Sequence, residues 1–175
     1  MHMPGFEYLL ALSAASMAFV GISVIVLVLR QITGGTLTPF HTLLVRYTVE
    51  CGLMSATFAL LPPLLSLTEL AHAINFRICS AIFVVMVSVY MVNYVRRRRR
   101  VIRGPLPTRF IVLTLASIPI FIAVSLNAGA VLLTVAIWPY AVGVTWLLFQ
   151  AGVVFLLSIE VFLQESPPST ASPGG

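Results

Sequence analysis

One acidic side chain, Glu50, lies within a long apolar stretch of the sequence. Arg46 precedes it by one helical turn, and Gln150 occupies a comparable position in a later apolar stretch. Counting back from Leu61 at about 1.5 Å per residue places Glu50 near the middle of a hydrocarbon core about 30 Å thick. An ionisable group at that depth is energetically costly and raises a functional hypothesis by default. Arg46, Glu50 and Gln150 therefore form the candidate intramembrane polar site.

Three interpretations of this site stay open. The favoured one is a buried hydrogen bond between Glu50 and Gln150 that holds two helices together. In the second, Glu50 carries protons or ions across the membrane. In the third, the helix begins nearer the surface and Glu50 lies at the level of the headgroups. Arg46 can neutralise Glu50, although arginine four residues before glutamate is the weaker order for a helical ion pair.

A second polar cluster, of Glu69, His72 and Arg77, is predicted at the opposite face of the membrane. Arg77 is expected to extend its charged end toward the headgroups, with Glu69 and His72 as its partners. His41 and His72 have no second histidine or carboxylate at the spacing of a zinc site. We expect no metal and no cofactor.

Catalytic motifs are absent from the sequence: it has no HExxH, no GxSxG and no glycine-rich phosphate loop. All ten basic residues are arginine and all five acidic residues are glutamate. The lack of lysine excludes Schiff-base chemistry, and five acids leave few ways to build an acid–base pair. We expect no catalytic residues and no enzymatic activity.

The elements that must position these residues are transmembrane helices. Hydrophobic residues make up 59% of the 175-residue chain and charged residues 9%, whereas soluble domains carry about 25% charged residues. The sequence predicts an all-α membrane bundle of about five helices in one domain, residues 1–163, with four helices as the alternative. The predicted spans are 6–30, 39–61, 67–95, 109–128 and 139–163.

Several residues indicate where the predicted helices begin and end. Pro39 and Pro139 suit first helical positions. Pro62 and Pro63 should end or kink the second helix, and Ser66 has the spacing from Glu69 of a capping box.

Trp138 and Tyr140 are predicted to lie in an interfacial aromatic belt. Residues 129–137 form either a surface connector or an extension of a helix, and residues 164–175 should be a disordered tail. Cys51 and Cys79 are expected to be free, buried thiols.

The arginine-rich segment NYVRRRRRVIRG follows the third span. Basic clusters beside a membrane attract anionic lipids by roughly 1 kcal/mol per charge. The predicted headgroup contacts are Arg96, Arg97, Arg98, Arg99, Arg100 and Arg103. Nucleic acid is not an expected partner, because the segment has neither a folded basic face nor interleaved stacking aromatics. A protein partner is the remaining alternative.

The distribution of arginines also predicts an orientation. If residues 30–46 and 96–109 face the cytoplasm, they place nine of the ten arginines there, with Arg77 on the other side. The positive-inside rule then puts the amino terminus outside and the carboxyl tail in the cytoplasm. This pattern fits a multi-pass protein of a bacterial inner membrane.

Small residues recur on two helices and predict close helix contacts. The first stripe comprises Ala11, Ala14, Ala18 and Gly21, and the second comprises Ala141, Thr145, Leu148 and Gly152. We expect packing within the chain rather than against a second copy.

From Arg30 onward, the order of features resembles a group of small multi-pass bacterial inner-membrane proteins. The residues that carry the resemblance are Arg46, Glu50-Cys51-Gly52 ahead of FALLPPLL, Arg77, Ser80, the arginine cluster, Asn127-Ala128, and PYAVGVTWLL leading to Phe155. The resemblance covers about residues 30–163. It implies that the fourth helix ends near Asn127 and that the fifth starts at Pro139, and it implies no activity.

Two functions remain open from the sequence. The first is a structural or accessory subunit that packs against itself or another membrane protein and holds its basic segment on anionic lipids. The second is a small oligomeric channel or transporter for ions or protons that uses Glu50. An accessory protein should bury Glu50 and Gln150 against each other or against the third helix, whereas a transporter should expose them to water.

Overall fold

The computed structural model describes residues 5–32, 39–68, 71–101, 108–129 and 137–164. Within these ranges the chain is all-helical, and each helix contains an apolar stretch long enough to cross a membrane. The helices are α1 (Phe6–Ile32), α2 (Pro39–Ser66), α3 (His72–Val101), α4 (Thr108–Ala128) and α5 (Ile137–Gln164). The prediction of an all-helical protein with five membrane-spanning helices is confirmed.

Helix α2 is central in the bundle. It packs against α1, α3 and α5, while α4 packs against α3 and α5. Consecutive helices are antiparallel, so the bundle has two chemically different ends. The arginine end holds Arg46, Glu50 and residues 96–99, and the proline end holds Pro62, Pro63, Asn75 and Tyr140.

Helix α2 does not end at Leu61, as the sequence predicted, but continues through Pro62 and Pro63 to Ser66. The Ser66 hydroxyl donates a hydrogen bond to the Pro63 carbonyl at 2.6 Å. Ser66 is therefore the last residue of α2 and not the cap of α3, so the predicted capping box is wrong. Its expected partner, Glu69, lies outside the described residues.

Helix α3 continues to Val101, six residues past the predicted end at Val95. Residues 96–100 are therefore helical rather than part of a connector. Arginine is a good helix former, and cations near the carboxyl end of a helix interact favourably with its dipole. Both effects favour this extension of α3 into the basic segment.

The remaining bounds differ slightly from prediction. Helix α1 ends at Ile32 rather than at residue 30, α4 begins at Thr108, and α5 begins at Ile137 rather than at Pro139. Proline is tolerated in the first turn because the amide groups there have no partner within the helix. Residues 130–136 and 165–175, which include most of the possible connector and the predicted tail, lie outside the described residues.

The buried side chains form two clusters. The larger lies toward the proline end and includes Leu9, Phe58, Phe76, Phe83 and Tyr140. The smaller lies toward the arginine end, and its members are Leu44, Tyr47, Cys51, Ala151 and Val154. Cys51 and Cys79 are both buried and free.

Helices α1 and α2 approach each other closely at Gly52. A Cβ atom at Gly52 would lie 2.5 Å from a methyl carbon of Val20, so only glycine fits without a shift. The Ser16 hydroxyl also donates to Ser55 Oγ across this interface at 3.1 Å.

The face of α1 in this contact is not the one that the small residues predicted. Its buried side chains include Leu12, Ser16 and Val20. The prediction of internal packing is wrong for the stripe on α1, because all four of its members are exposed: Ala11, Ala14, Ala18 and Gly21. The stripe on α5 is half-buried, and Thr145 within it shares a hydrogen bond of 2.7 Å with Tyr8 of α1.

Candidate functional site

Glu50 lies between two arginines at the arginine end. Arg46 Nε is 2.6 Å from Glu50 Oε1, and Arg97 Nη1 of α3 is 3.1 Å from the same oxygen. The Glu50 side chain is 28% exposed, and those of Arg46 and Arg97 are more exposed. The first contact lies within α2 and the second links α2 to α3, so one carboxylate holds two guanidinium groups beside each other.

The bounds of α2 also change the expected depth of Glu50. The predicted position of Glu50 near the midplane depends on α2 ending at Leu61. Since α2 continues to Ser66, Glu50 is 16 residues, or about 24 Å, from the far end of its helix. Its partner Arg97 lies in the last two turns of α3. Glu50 therefore lies closer to the arginine end than its predicted position near the midplane.

A layer of aromatic side chains lies beside the ion pair. Tyr47, the residue after Arg46, is buried, and its ring centroid is 4.8 Å from that of Tyr94 and 6.1 Å from that of Tyr90. Cys51 Sγ lies 3.9 Å from the Tyr90 hydroxyl. The three tyrosines join α2 to α3 next to the charged groups and bury apolar area together with their hydroxyls.

Gln150 is buried at 2% exposure and belongs to a separate hydrogen-bond network. It accepts from the Tyr47 hydroxyl, with 3.4 Å between the oxygens, and its amide donates to Ser117 Oγ of α4. Trp146 Nε1 donates to the same Ser117 oxygen at 3.0 Å. The predicted hydrogen bond between Glu50 and Gln150 is therefore wrong: Gln150 joins α5 to α2 and α4, whereas Glu50 joins α2 to α3.

At the proline end, polar side chains bond to the backbone of α2. Pro62 has no amide hydrogen, so the carbonyl of Phe58, four residues earlier, lacks its usual helical donor. The Tyr140 hydroxyl of α5 donates to this carbonyl at 2.6 Å. Asn75 Nδ2 of α3 donates to the Pro62 carbonyl at 3.0 Å. The Tyr140 hydroxyl thus replaces the donor that Pro62 removes, as neighbouring helices do for freed backbone groups in membrane helices, and Asn75 adds a second bond to the same region of α2.

The prediction that Tyr140 lies in an aromatic belt is wrong. This residue was expected in an interfacial aromatic belt with Trp138, but Tyr140 is fully buried, whereas Trp138 is 60% exposed. The signal that could have pointed to its role was Pro62, which frees the Phe58 carbonyl, because a side chain of a neighbouring helix is one of the groups that can satisfy such a carbonyl.

Arg77 is the only member of the predicted cluster at this end whose side chain is described. Its Nε donates to the Ala128 carbonyl, the last residue of α4, at 3.1 Å. A cation at the carboxyl end of a helix satisfies a carbonyl and interacts favourably with the dipole. Glu69 and the side chain of His72, its predicted partners, lie outside the described residues. Asn127 Nδ2 donates to Ser80 Oγ at 2.9 Å, a second bond between α3 and α4.

The chemistry open to the arginine end follows from its charge. Five described arginines, Arg46 and those at 96–99, lie at this end with two described carboxylates, Glu50 and Glu160, so the end carries excess positive charge and suits an anionic ligand. Arg103 and the side chain of Arg100 lie outside the described residues. In the part of the chain that the structure describes, no three histidine, cysteine or acidic residues lie close enough together to hold a metal ion.

Compared with known proteins, the chain matches no family model, no curated protein and no solved structure.

Proposed function

We propose that this integral membrane protein is a structural or accessory subunit that packs in the bilayer and rests its arginine end on anionic lipids. Its expected partners are those lipids together with a second copy of the chain or another membrane protein. The proposal also places the chain in a bacterial inner membrane, within the group of small multi-pass proteins that its sequence resembles.

The observation that carries the proposal is the pairing of polar groups between helices. Glu50 is bound by Arg46 and by Arg97 of α3, and Gln150 is bound by Tyr47 and Ser117. Polar side chains that bond to one another across helices hold a bundle together, whereas a transport path exposes such groups to water. Burial of Gln150 between α2 and α4 and contact of Glu50 with α3 support an accessory protein, although the Glu50 side chain is 28% exposed and does not contact Gln150.

Ion flux through the purified protein in liposomes tests the proposal. We expect no proton or cation flux above that of empty liposomes, for the wild type and for Glu50→Gln alike. The variant matters because it keeps the size of the side chain and removes only its charge. Flux in the wild type that is lost in Glu50→Gln would show that the protein is a channel or transporter.

The proposed orientation has its own test. The arginine end should face the cytoplasm, since the positive-inside rule counts arginines near the ends of the spans. Replacing residues 97–100 by glutamine should weaken or invert the orientation reported by a fusion at the carboxyl terminus. Unchanged orientation together with loss of a partner in a mild-detergent pull-down would assign the segment to protein binding instead.

A further inference from the structure

A groove of about 260 Å³ runs between α3 and α4 on the outside of the bundle. Its lining is apolar and includes Val87, Met91, Ile118 and Phe121. The hydroxyls of Ser88 and Ser117 also line it, but they donate to carbonyls of their own helices at 2.7 and 2.8 Å. The groove therefore offers a surface suited to a hydrocarbon chain.

The position and length of the groove decide what can fill it. Its lining on α4 extends from Thr114 to Ile122, a length of about 12 Å. An apolar groove of this length, running along two helices, accommodates part of one extended hydrocarbon chain.

Arg98 lies in line with this groove. It follows Met91 by seven residues, or two helical turns, and therefore shares its face of α3. Side chains on a helix lean toward its amino end, which directs Arg98 back toward the groove. Its Nη2 atom is buried and has no hydrogen-bond partner. Glu50 is already bound to Arg46 and Arg97.

The distance along α3 from the far end of the groove to Arg98 is close to the hydrocarbon thickness of one membrane leaflet. Val87 and Arg98 are eleven residues apart on α3, or about 16 Å. Half of a hydrocarbon core about 30 Å thick is about 15 Å. A lipid whose phosphate lies at Arg98 would therefore place the distal part of its chain in the groove, between Met91 and Val87.

We propose that the α3–α4 groove and Arg98 form a binding site for one anionic glycerophospholipid, with an acyl chain in the groove and the phosphate hydrogen-bonded to the Arg98 guanidinium. The inference rests on the proposed contact of the arginine end with anionic lipids. It replaces diffuse attraction to many headgroups with a defined site for one lipid.

Fluorescence quenching by brominated lipids tests the site. The chain has two tryptophans, and Trp146 is adjacent to the groove through its bond to Ser117. Trp138→Phe leaves Trp146 as the only reporter. The protein is placed in phosphatidylcholine vesicles that contain a minor fraction of either phosphatidylglycerol or phosphatidylcholine with brominated chains. We expect phosphatidylglycerol to quench Trp146 at lower lipid fractions than phosphatidylcholine does.

Two variants and one charge-matched control separate the site from general attraction. Arg98→Gln should raise the phosphatidylglycerol fraction needed for half-maximal quenching about tenfold more than Arg96→Gln does, the effect of losing one hydrogen bond to a charged group. Arg96 is the control because it removes the same charge from the opposite face of α3. Ser88→Phe should fill the groove and abolish the preference for phosphatidylglycerol with every arginine present.

Equal effects of Arg98→Gln and Arg96→Gln, with Ser88→Phe like the wild type, would overturn the site and leave the proposed contact with anionic lipids intact. If the wild type shows no preference for phosphatidylglycerol at all, both the site and that contact are wrong.

Discussion

The two ends of the bundle use polar residues in different ways. At the proline end, neutral side chains are buried and bond to backbone carbonyls: Tyr140 to Phe58, and Asn75 to Pro62. At the arginine end, charged side chains are partly exposed and bond to each other, with Glu50 between Arg46 and Arg97. The first arrangement satisfies backbone carbonyls of α2, and the second pairs the Glu50 carboxylate with two arginines.

This difference predicts where stability resides. A buried polar group left without a partner costs about 1 to 3 kcal/mol, whereas partly exposed ion pairs contribute about 1 kcal/mol or less. The neutral bonds of the proline end should therefore stabilise the fold more than the ion pairs of the arginine end, although the latter carry more charge. Three substitutions, from the largest expected effect to the smallest, test this ranking.

Tyr140→Phe should have the largest effect. It removes the donor to the Phe58 carbonyl and should lower the free energy of unfolding by about 2 kcal/mol, measured by titration with sodium dodecyl sulfate in mixed micelles. The same change in a Pro62→Ala background should cost far less, because residue 62 then has an amide hydrogen for that carbonyl. A double-mutant cycle isolates this coupling.

Tyr8→Phe is the control for Tyr140→Phe. The Tyr8 hydroxyl bonds to Thr145 at an exposed position, so its loss should change stability by only about 0.5 kcal/mol. An equal cost of Tyr140→Phe with and without Pro62 would show that the hydroxyl does not compensate for the missing amide.

Gln150→Leu should have an intermediate effect. The substitution removes the hydrogen bonds from α5 to Tyr47 and Ser117 and puts an apolar side chain of similar size in place of the amide. Hydrogen bonds between membrane helices contribute about 0.6 kcal/mol on average, so a loss of about 1 kcal/mol is expected in the same titration. Ser117→Ala should remove part of the same energy, and the two changes should not be additive. Additive losses would contradict a shared network.

Glu50→Gln should have the smallest effect on folding. We expect headgroup water to reach these partly exposed ion pairs, so the free energy of unfolding should change by less than about 0.5 kcal/mol. A loss as large as that of Tyr140→Phe would reverse the ranking of the two ends and assign Glu50 a main part in the core.

The helices and their alternation could be predicted because long apolar stretches in water-free surroundings have few alternatives to a helix. The sequence also identified Arg46, Glu50 and Gln150 as the polar residues of interest. The spacing of Arg46 and Glu50 also predicted their ion pair, which is present. The contact of Glu50 with Arg97 and the partners of Gln150 could not be predicted, because the depth of Glu50 depended on where α2 ends. An error of five residues at Ser66 shifts a side chain by about 7 Å along the helix axis.

The roles of Tyr140 and Arg97 show the same limit. Proline at 62 signals that a backbone carbonyl needs a donor, but several polar residues on other helices could supply one, and only packing selects Tyr140. Arg97 is one of five consecutive arginines. Its contact with Glu50 depends on α3 continuing past Val95, which fixes the direction in which each arginine points.

The bond from Tyr140 to α2 has a consequence for biogenesis. A nascent chain emerges amino end first, so α2 enters the membrane before α5 has been synthesised. Until then, the Phe58 carbonyl lacks both its own helical donor and Tyr140, in a medium without water to replace them. The hydrogen bond to this carbonyl therefore forms only after α5 has entered the membrane, and a chain released before then would keep an unsatisfied carbonyl in α2.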